Sequence, residues 1–257
     1  MRDKTQYGKL LRTAYNSGFT GLEQWRPIYQ QQKQNGHVYW SYDHQGRSWI
    51  EDKSDIMNIL IKLNGYTSYL EIGGQPFAGK NSTYHKVLCK IKDSVDLEGD
   101  SFDNSTLPPG HKHYAMSSDD FFNQLSNDTK YDIIFIDAWH EHQQVLRDIS
   151  NSLNFLSENG IIVLHDMVPL TRDLEKDFKR TGTCWRAFAD LRKNKNLKMN
   201  TLVPPWGTED CLGFISLGTQ TIFEKDVIYD YEFLLENIED LMSLIDLDSF
   251  YKEYIYR

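Results

Sequence analysis

The feature that most constrains this chain is an apolar run from Tyr131 to Ile136 that ends abruptly in Asp137 and His140. The run is short, rich in β-branched residues and contains a single acid, which is typical of a strand buried on both faces of a sheet. Asp137 and His140 are unsuited to a core, so they are expected at the end of the strand. Open sheets of parallel strands bind ligands at this carboxyl edge. The stretch predicts an α/β fold with a binding site there.

A second apolar run, Ile161 to Leu164, repeats this pattern and ends in His165 and Asp166. Two neighbouring strands that end in this way would bring four titratable groups, from Asp137, His140, His165 and Asp166, into one cleft. This repetition is the strongest indication of an active site that the residues give by themselves.

A glycine-bearing turn follows the first predicted strand of this domain, Tyr66 to Ile72. It contains Gly73, Gly74 and Gly79 and comes directly after Glu71. This order, in which glycines follow a strand and an acid, lets a cofactor approach the backbone. The turn is not a phosphate loop, because Asn81 stands where that motif needs Ser or Thr, and it is not GxGxxG.

The next predicted strand, Lys92 to Leu97, carries Asp96 near its end, about 25 residues past the first strand. An acid at this point is placed to accept hydrogen bonds from a ribose. Leu197 to Val203 and Leu212 to Leu217 are predicted to form a late antiparallel pair that closes the sheet.

Composition narrows the class of protein. The net charge of −9 argues against nucleic acid as a partner, since binding phosphate backbones needs a basic surface. Three widely spaced cysteines without a CxxC pair indicate a reducing compartment and no structural zinc. The N-terminus lacks the apolar core of a signal peptide, and no run is long enough to span a membrane. A cytoplasmic protein is expected.

Three segments are expected along the chain. Residues 1–64 form an N-terminal helical or irregular cap rich in aromatic residues, which either packs on the main domain or serves as a lid. Within it, Ser54 is predicted to cap a helix from Asp55 to Leu63. Residues 65–220 form the main domain, and residues 221–257 form a helical extension. The extension either packs on its own domain or contributes to a homodimer.

The ordered set of segments resembles the class I S-adenosylmethionine-dependent methyltransferases, and more narrowly bacterial enzymes of surface-polysaccharide and antibiotic-sugar pathways. The segments that carry the resemblance are Tyr69-Leu70-Glu71-Ile72-Gly73, Val95-Asp96, Met116-Ser117-Ser118-Asp119-Asp120-Phe121-Phe122, Phe135-Ile136-Asp137 with His140, and Val163-Leu164-His165-Asp166. The resemblance implies a Rossmann-like, doubly wound, mostly parallel sheet of seven strands with a late antiparallel strand.

It also implies roles for the matched positions. Glu71 and Gly73 would lie against the methionine part of S-adenosylmethionine, Gly79 would shape the turn, and Asp96 would hold the ribose hydroxyls. Gly74 is also expected to bind the cofactor. Ser118 and Asp119 would sit by the adenine, and Asp137 would lie near the sulfonium and its amino-acid end. Ala138 and Trp139 are also expected to bind the cofactor. The sequence departs from the family at Gln75-Pro76-Phe77-Ala78, where the turn is long, and at Trp139, which is bulkier than usual.

Methyl transfer to oxygen needs an aligned nucleophile and a base that removes the hydroxyl proton. His165 is the preferred base and His140 the second choice, with Asp166 beside them, because imidazole titrates near neutral pH. The alternative is a divalent metal held by Asp137 and Asp166, which would polarise the acceptor hydroxyl. A site rich in histidine suits a softer metal than magnesium.

The predicted function is transfer of a methyl group from S-adenosylmethionine to a hydroxyl of a small polar acceptor. The resemblance implies a sugar, a nucleotide-sugar or a phosphorylated precursor used in capsule or glycan biosynthesis. Three alternatives stay open. They are an N-methyltransferase, a nicotinamide-dependent oxidoreductase, and a cofactor-binding subunit without catalysis, although fold alone does not decide among them.

Overall fold

Eight strands form one sheet in the part of the chain that the computed structural model describes, residues 52–202 and 211–255. In chain order they are β1 Ser68–Ile72, β2 Ile91–Asp96, β3 His111–Ala115, β4 Tyr131–Ile136, β5 Leu156–Leu164, β6 Leu197–Leu202, β7 Leu212–Leu217 and β8 Leu244–Ile245. Their spatial order is β3-β2-β1-β4-β5-β7-β6-β8. The first five strands are parallel, and β7 runs antiparallel to both β5 and β6.

This topology confirms the Rossmann-like, mostly parallel sheet with a late antiparallel strand. The count of seven strands is wrong, because Leu244 and Ile245 add an eighth strand that pairs with the end of β6. Leu244 fits the helical spacing of the preceding segment, but the chain turns at Ser243, whose φ is 47°. The backbone groups of Leu244 and Ile245 therefore form hydrogen bonds with β6 instead of helical ones.

The helices in the described part of the chain begin and end as follows: α1 Lys53–Asn64, α2 Thr83–Lys86, α3 Ser118–Gln124, α4 His142–Asn154, α5 Arg172–Lys176, α6 Cys184–Leu191, α7 Tyr231–Leu241 and α8 Leu247–Tyr254. Two short 3-10 turns cover Pro76–Ala78 and Asn104–Thr106. No helix within the described ranges has the length and apolar character needed to cross a membrane.

Strand β4 shows how the sheet forms two cores. Ile134 and Ile136 contribute to a core with the helices α3, α4, α6 and α7, while Ile133 and Phe135 contribute to a second core with α1 and α8. Successive side chains of a strand point to opposite faces, so an all-apolar strand must be covered on both sides. All four side chains are almost fully buried, and burying each contributes about 1.5–3 kcal/mol.

Helix α1 begins two residues earlier than the sequence predicts. The cap is Asp52 rather than Ser54: its side chain accepts from the Ser54 amide at 2.8 Å, and the Asp52 amide donates to Asp55 Oδ2 at 3.2 Å. This reciprocal capping satisfies two free amides at the helix start. It also makes Lys53 the first helical residue, close to the carboxyl edge of the sheet.

Candidate functional site

The parallel register brings the ends of the central strands together. Ile72 of β1 is paired with Ile136 of β4, and Ile136 is paired with Leu164 of β5. The ladder continues one step further, since the Asp137 amide donates to the Ile72 carbonyl at 2.9 Å and the His165 amide donates to the Ile136 carbonyl at 3.1 Å. The groups that follow these strands therefore meet at one edge, as the sequence predicts.

An elongated cavity of about 490 Å³ lies along this edge. Seven of the predicted cofactor residues line it: Gly73, Asp96, Ser118, Asp119, Asp137, Ala138 and Trp139. Two side chains of its wall, Leu97 and Trp139, expose 77% and 52% of their surface. Large apolar side chains exposed in a concave site are typical of ligand-binding surfaces.

Glycine is required at Gly73 by the turn that closes this cavity. Its φ is 87°, and a Cβ there would lie 2.0 Å from the carbonyl oxygen of Asp137. Gly74 and Gly79 do not line the cavity. A Cβ on Gly74 would meet Ser94 at 2.7 Å, whereas Gly79 has open space around it and only its φ of 94° favours glycine.

Glu71 does not line the cavity either, although the resemblance placed it against the cofactor. It is 4% exposed, and the Tyr69 hydroxyl donates to its Oε2 at 2.7 Å. Burial raises the pKa of this carboxyl to about 7, since desolvation disfavours the charged form. Glu71 therefore packs under the glycine turn, where a Cβ added at Gly74 would lie 2.9 Å from its side chain.

The end of the cavity beyond β3 is built by Ser118, Asp119, Gln144 and Asp148. Ser118 Oγ donates to Asp148 Oδ1 at 2.6 Å, and Gln144 Nε2 donates to the same oxygen at 3.0 Å. Asp119 instead lies 3.6 Å from Arg147 Nε. Sequence reasoning missed Gln144 and Asp148. The available signal was an acid at a core-facing position of α4, beside the buried Ile149.

A polar cluster formed by Asp137, His140, His165 and Asp166 stands beside the cavity. His165 Nδ1 lies 3.3 Å from Asp137 Oδ1 and 3.2 Å from Asp166 Oδ2. His140 Nε2 lies 3.5 Å from Asp137 Oδ1, and its Nδ1 contacts the Arg180 carbonyl. All the residues predicted for catalysis are therefore brought together.

Lys53 joins this cluster from α1, and its Nζ lies 2.5 Å from Asp137 Oδ2. Burial by itself would raise the pKa of Asp137, but its electrostatic interactions with His165 and Lys53 hold that pKa well below its usual range. Burial would lower the pKa of His140, but its hydrogen bond to Asp137 and the Asp166 charge raise it. The sequence gives no sign of Lys53, which lies 84 positions before its partner.

A second, smaller cavity of about 260 Å³ opens on the other side of the cluster. It is lined by His165, Asp166, Leu170, Leu174, Lys179, Arg180 and Thr181. Of these two cavities, Asp137 lines the elongated one and His165 lines the small one. Their contact at 3.3 Å connects the two spaces, whereas His140 is not among the residues that line either of these cavities.

Three members of the cluster have the donor atoms of a metal site. Asp137, His140 and Asp166 each offer one ligand atom, and these atoms all lie within 4.8 Å of one another. Two carboxylates and one imidazole are ligands that a divalent cation accepts. The residues present therefore fit the metal alternative that the sequence suggested for Asp137 and Asp166, with His140 as an added ligand.

Comparison with known proteins places the chain among enzymes. The model of the methyltransferase domain family matches residues 28–167, more than half of the 257-residue chain. A proposed O-methyltransferase from Klebsiella pneumoniae is 12% identical, with 76% of this chain and 90% of that chain covered and a TM-score of 0.51. Cofactor-bound Rv0187 from MTB is 10% identical, with the same coverage and TM-score. No curated protein matches the chain. Identities this low show a shared fold.

Proposed function

The chain belongs to the methyltransferase domain family and is an S-adenosylmethionine-dependent methyltransferase, and from this premise we propose that it methylates a hydroxyl oxygen of a small polar acceptor. The observation that carries the proposal is the pair of cavities joined by the contact between Asp137 and His165. One cavity suits the methyl donor, the other suits the acceptor, and a candidate base stands at their boundary.

The elongated cavity is the proposed cofactor site. Bound S-adenosylmethionine supplies a methyl group on a positively charged sulfonium. Gly73 gives its methionine part access to the backbone, and Asp96 faces the ribose hydroxyls, with Ser118 and Asp119 beside the adenine. The ionised Asp137 carboxylate, whose pKa is held low by its neighbours, favours the positive charge at the sulfonium end, where Ala138 and Trp139 complete the wall.

His165 is the proposed base. Methyl transfer forms a carbon–oxygen bond, breaks the carbon–sulfur bond and releases the hydroxyl proton, which His165 accepts from the small cavity. Asp137 and Asp166 both lie against His165 Nδ1 and stabilise the imidazolium that forms. His140 is the weaker candidate, because it is outside both cavity walls and its Nδ1 is taken by the Arg180 carbonyl.

The small cavity limits the acceptor. Its polar lining, from Thr181, Lys179 and Arg180, suits hydroxyl and phosphate groups better than an apolar ring. This supports a sugar, a nucleotide-sugar or a phosphorylated precursor, in keeping with a role in capsule or other glycan biosynthesis. The name of the Klebsiella pneumoniae protein supports oxygen as the methylated atom, and N-methylation is the competing outcome.

Metal assistance is a second candidate for the chemistry, favoured by the convergence of Asp137, His140 and Asp166 within 4.8 Å. A cation held by these residues would polarise the acceptor hydroxyl and lower its pKa. Turnover that is unchanged after exhaustive dialysis against a chelator removes this candidate. Loss of turnover that returns with added magnesium or manganese supports it.

Two further proposals concern the whole chain. Cytoplasmic location is supported by Cys89, Cys184 and Cys211, none of which forms a disulfide.

A homodimer is proposed for the C-terminal extension, whose Leu234, Ile238 and Leu241 are already buried against the sheet of their own chain. Gel filtration with light scattering measures that state directly.

The central experiment is an acceptor screen by mass spectrometry. The full chain is incubated with S-adenosylmethionine and a panel of nucleotide-linked sugars, phosphorylated sugars and amino sugars, with reactions lacking acceptor as controls. We expect a mass gain of one methyl group on a hydroxyl. Methylation confined to amino groups would establish the N-methyltransferase alternative. Calorimetric binding of NAD without binding of S-adenosylhomocysteine would favour the oxidoreductase instead.

A further inference from the structure

Lys53 stands at a position of its helix that is electrostatically unfavourable for a lysine. It is the first residue of α1, and the aligned peptide groups of a helix give its N-terminus a partial positive charge, which disfavours a cation. The same helix follows the usual preference elsewhere, with Asp55 in its first turn and Lys62 in its last. Helix stability therefore does not account for Lys53, and the contacts that it makes outside the helix give the reason.

These contacts hold the Lys53 ammonium against the polar cluster. Its Nζ lies 2.5 Å from Asp137 Oδ2 and 5.5 Å from the centre of the Phe135 ring, whose face attracts a cation. Only 22% of the lysine side chain is exposed. Burial by itself would lower the pKa of Lys53, but the charge of Asp137 and its hydrogen bond raise that pKa, so the group stays positively charged.

The ammonium engages a carboxylate that a metal in this cluster would need. Lys53 contacts Asp137 Oδ2, and the other oxygen of Asp137 faces two imidazoles, with His165 Nδ1 at 3.3 Å and His140 Nε2 at 3.5 Å. Both oxygens are therefore engaged by the protein itself. The charge balance acts in the same direction. Asp137 and Asp166 supply two negative charges to the cluster, and one lysine beside them cancels half of the attraction for a divalent ion.

We propose that Lys53 is the resident cation of the polar cluster and prevents a divalent metal from binding there tightly. The fold thereby neutralises Asp137 with a group of its own. Removal of the lysine charge leaves Asp137, His140 and Asp166, whose ligand atoms lie within 4.8 Å of one another, as a metal site without a competing cation. The consequence for catalysis, that His165 takes the acceptor proton without a metal, rests on the proposed function.

The test is a titration of the full chain with Mn²⁺, without methyl donor or acceptor, in which electron paramagnetic resonance measures the free ion. We expect the wild-type protein to bind Mn²⁺ with a dissociation constant above about 0.1 mM. Lys53→Met should bind it at least about tenfold tighter, because a positive charge beside the ligand atoms is gone. A variant that only disturbs the fold would lose affinity for the ion, so a gain distinguishes this role from a structural one.

Three controls identify the charge and the place. Lys53→Arg keeps the positive charge and should bind Mn²⁺ as weakly as the wild type. Lys62→Met makes the matched change at the exposed last turn of α1 and should also behave as the wild type. Addition of Asp166→Asn to Lys53→Met removes a carboxylate of the cluster and should abolish the gain in affinity, since the ion then lacks one of its ligands.

Wild-type binding of Mn²⁺ that is tighter than about 0.1 mM and is lost in Asp166→Asn would overturn the inference, whatever the folding of the Lys53 variants. Equal affinity of wild type and Lys53→Met would also overturn it. Lys53→Gln, which keeps a hydrogen-bond donor for Asp137, replaces the Met variant if that variant does not fold. An acceptor screen without product would defeat the proposed function and leave this result standing, because the titration needs neither donor nor acceptor.

Discussion

The elongated cavity and the polar cluster lie at the same edge of one sheet, but their polar atoms are engaged differently. In the cavity, carboxylates are held by hydrogen bonds from neutral neighbours: Asp96 accepts from the Glu98 amide at 2.8 Å, and Asp148 accepts from the Ser118 hydroxyl at 2.6 Å. In the cluster, the charged groups contact each other, as in the 3.2 Å approach of His165 to Asp166.

The difference shows how one edge serves two tasks. A recognition surface needs donors and acceptors in fixed positions, and neutral donors orient two of its carboxylates: a backbone amide orients Asp96, and a hydroxyl and an amide side chain orient Asp148. A site that moves a proton needs opposite charges in mutual contact, because these contacts set the pKa values. The low pKa of Asp137 and the raised pKa of His140 come from such contacts. The predictions below separate the two regions.

The largest expected effect is on turnover. Replacing His165 with Gln removes the proposed base, and general base catalysis contributes about 100- to 10,000-fold. We expect turnover with the acceptor found by the screen to fall within that range, while calorimetry finds the affinity for S-adenosylhomocysteine within about threefold of wild type. His111→Gln, at the start of β3 and away from the cluster, should keep both values. Full turnover in His165→Gln would exclude this base.

The next effect is on stability, and it tests the point where the two regions touch. Gly73→Ala would place a methyl group 2.0 Å from the Asp137 carbonyl oxygen at a φ of 87°. We expect the free energy of unfolding in urea to fall by about 3 kcal/mol or more, with loss of S-adenosylhomocysteine binding.

Gly65→Ala is the matched control for this change. Its φ is also positive, at 70°, but no atom lies within 4 Å of the added methyl group. The cost there should be the backbone strain alone, about 1–2 kcal/mol. Equal losses in the two variants would mean that the contact with Asp137 contributes nothing.

The smallest effect concerns Glu71, which lies behind both regions. Its pKa is raised from 4.5 to about 7, so the folded state holds a proton that the unfolded state has released between these values. The resulting stabilisation is fully present below pH 4.5 and is lost as the pH rises through about 7. We expect wild-type protein to lose about 1–3 kcal/mol more of its unfolding free energy than Glu71→Gln between pH 5 and 8.

Urea unfolding at both pH values measures this difference. Glu158→Gln, which changes an exposed glutamate on β5, should follow the wild-type slope. A Glu71→Gln variant with the same slope as wild type would show that Glu71 is ionised throughout this range. The buried hydrogen bond from Tyr69 would then be made to a carboxylate.

Much of the fold and part of the site could be predicted from sequence because the signals are local. A run such as Tyr131 to Ile136 predicts a buried strand even when the strands beside it are unknown. The parallel register then brings Asp137 and His165 together. The end of the second predicted strand placed Asp96 in the same way, whereas Ser118 was implied by the family resemblance; both line the cavity. The resemblance placed Glu71 against the cofactor, and this stays a prediction: its side chain is buried and is not among the residues that line the cavity, which strand position alone does not reveal.

By itself, the sequence determined which strands are buried on both faces, where they end and which polar groups follow them, because periodicity and chain order are local properties. Only the tertiary structure decided that Lys53 pairs with Asp137, that Asp148 reaches the cavity from α4, and that Leu244–Ile245 adds a strand. Each of these depends on contacts between distant parts of the chain, which no spacing in the sequence encodes.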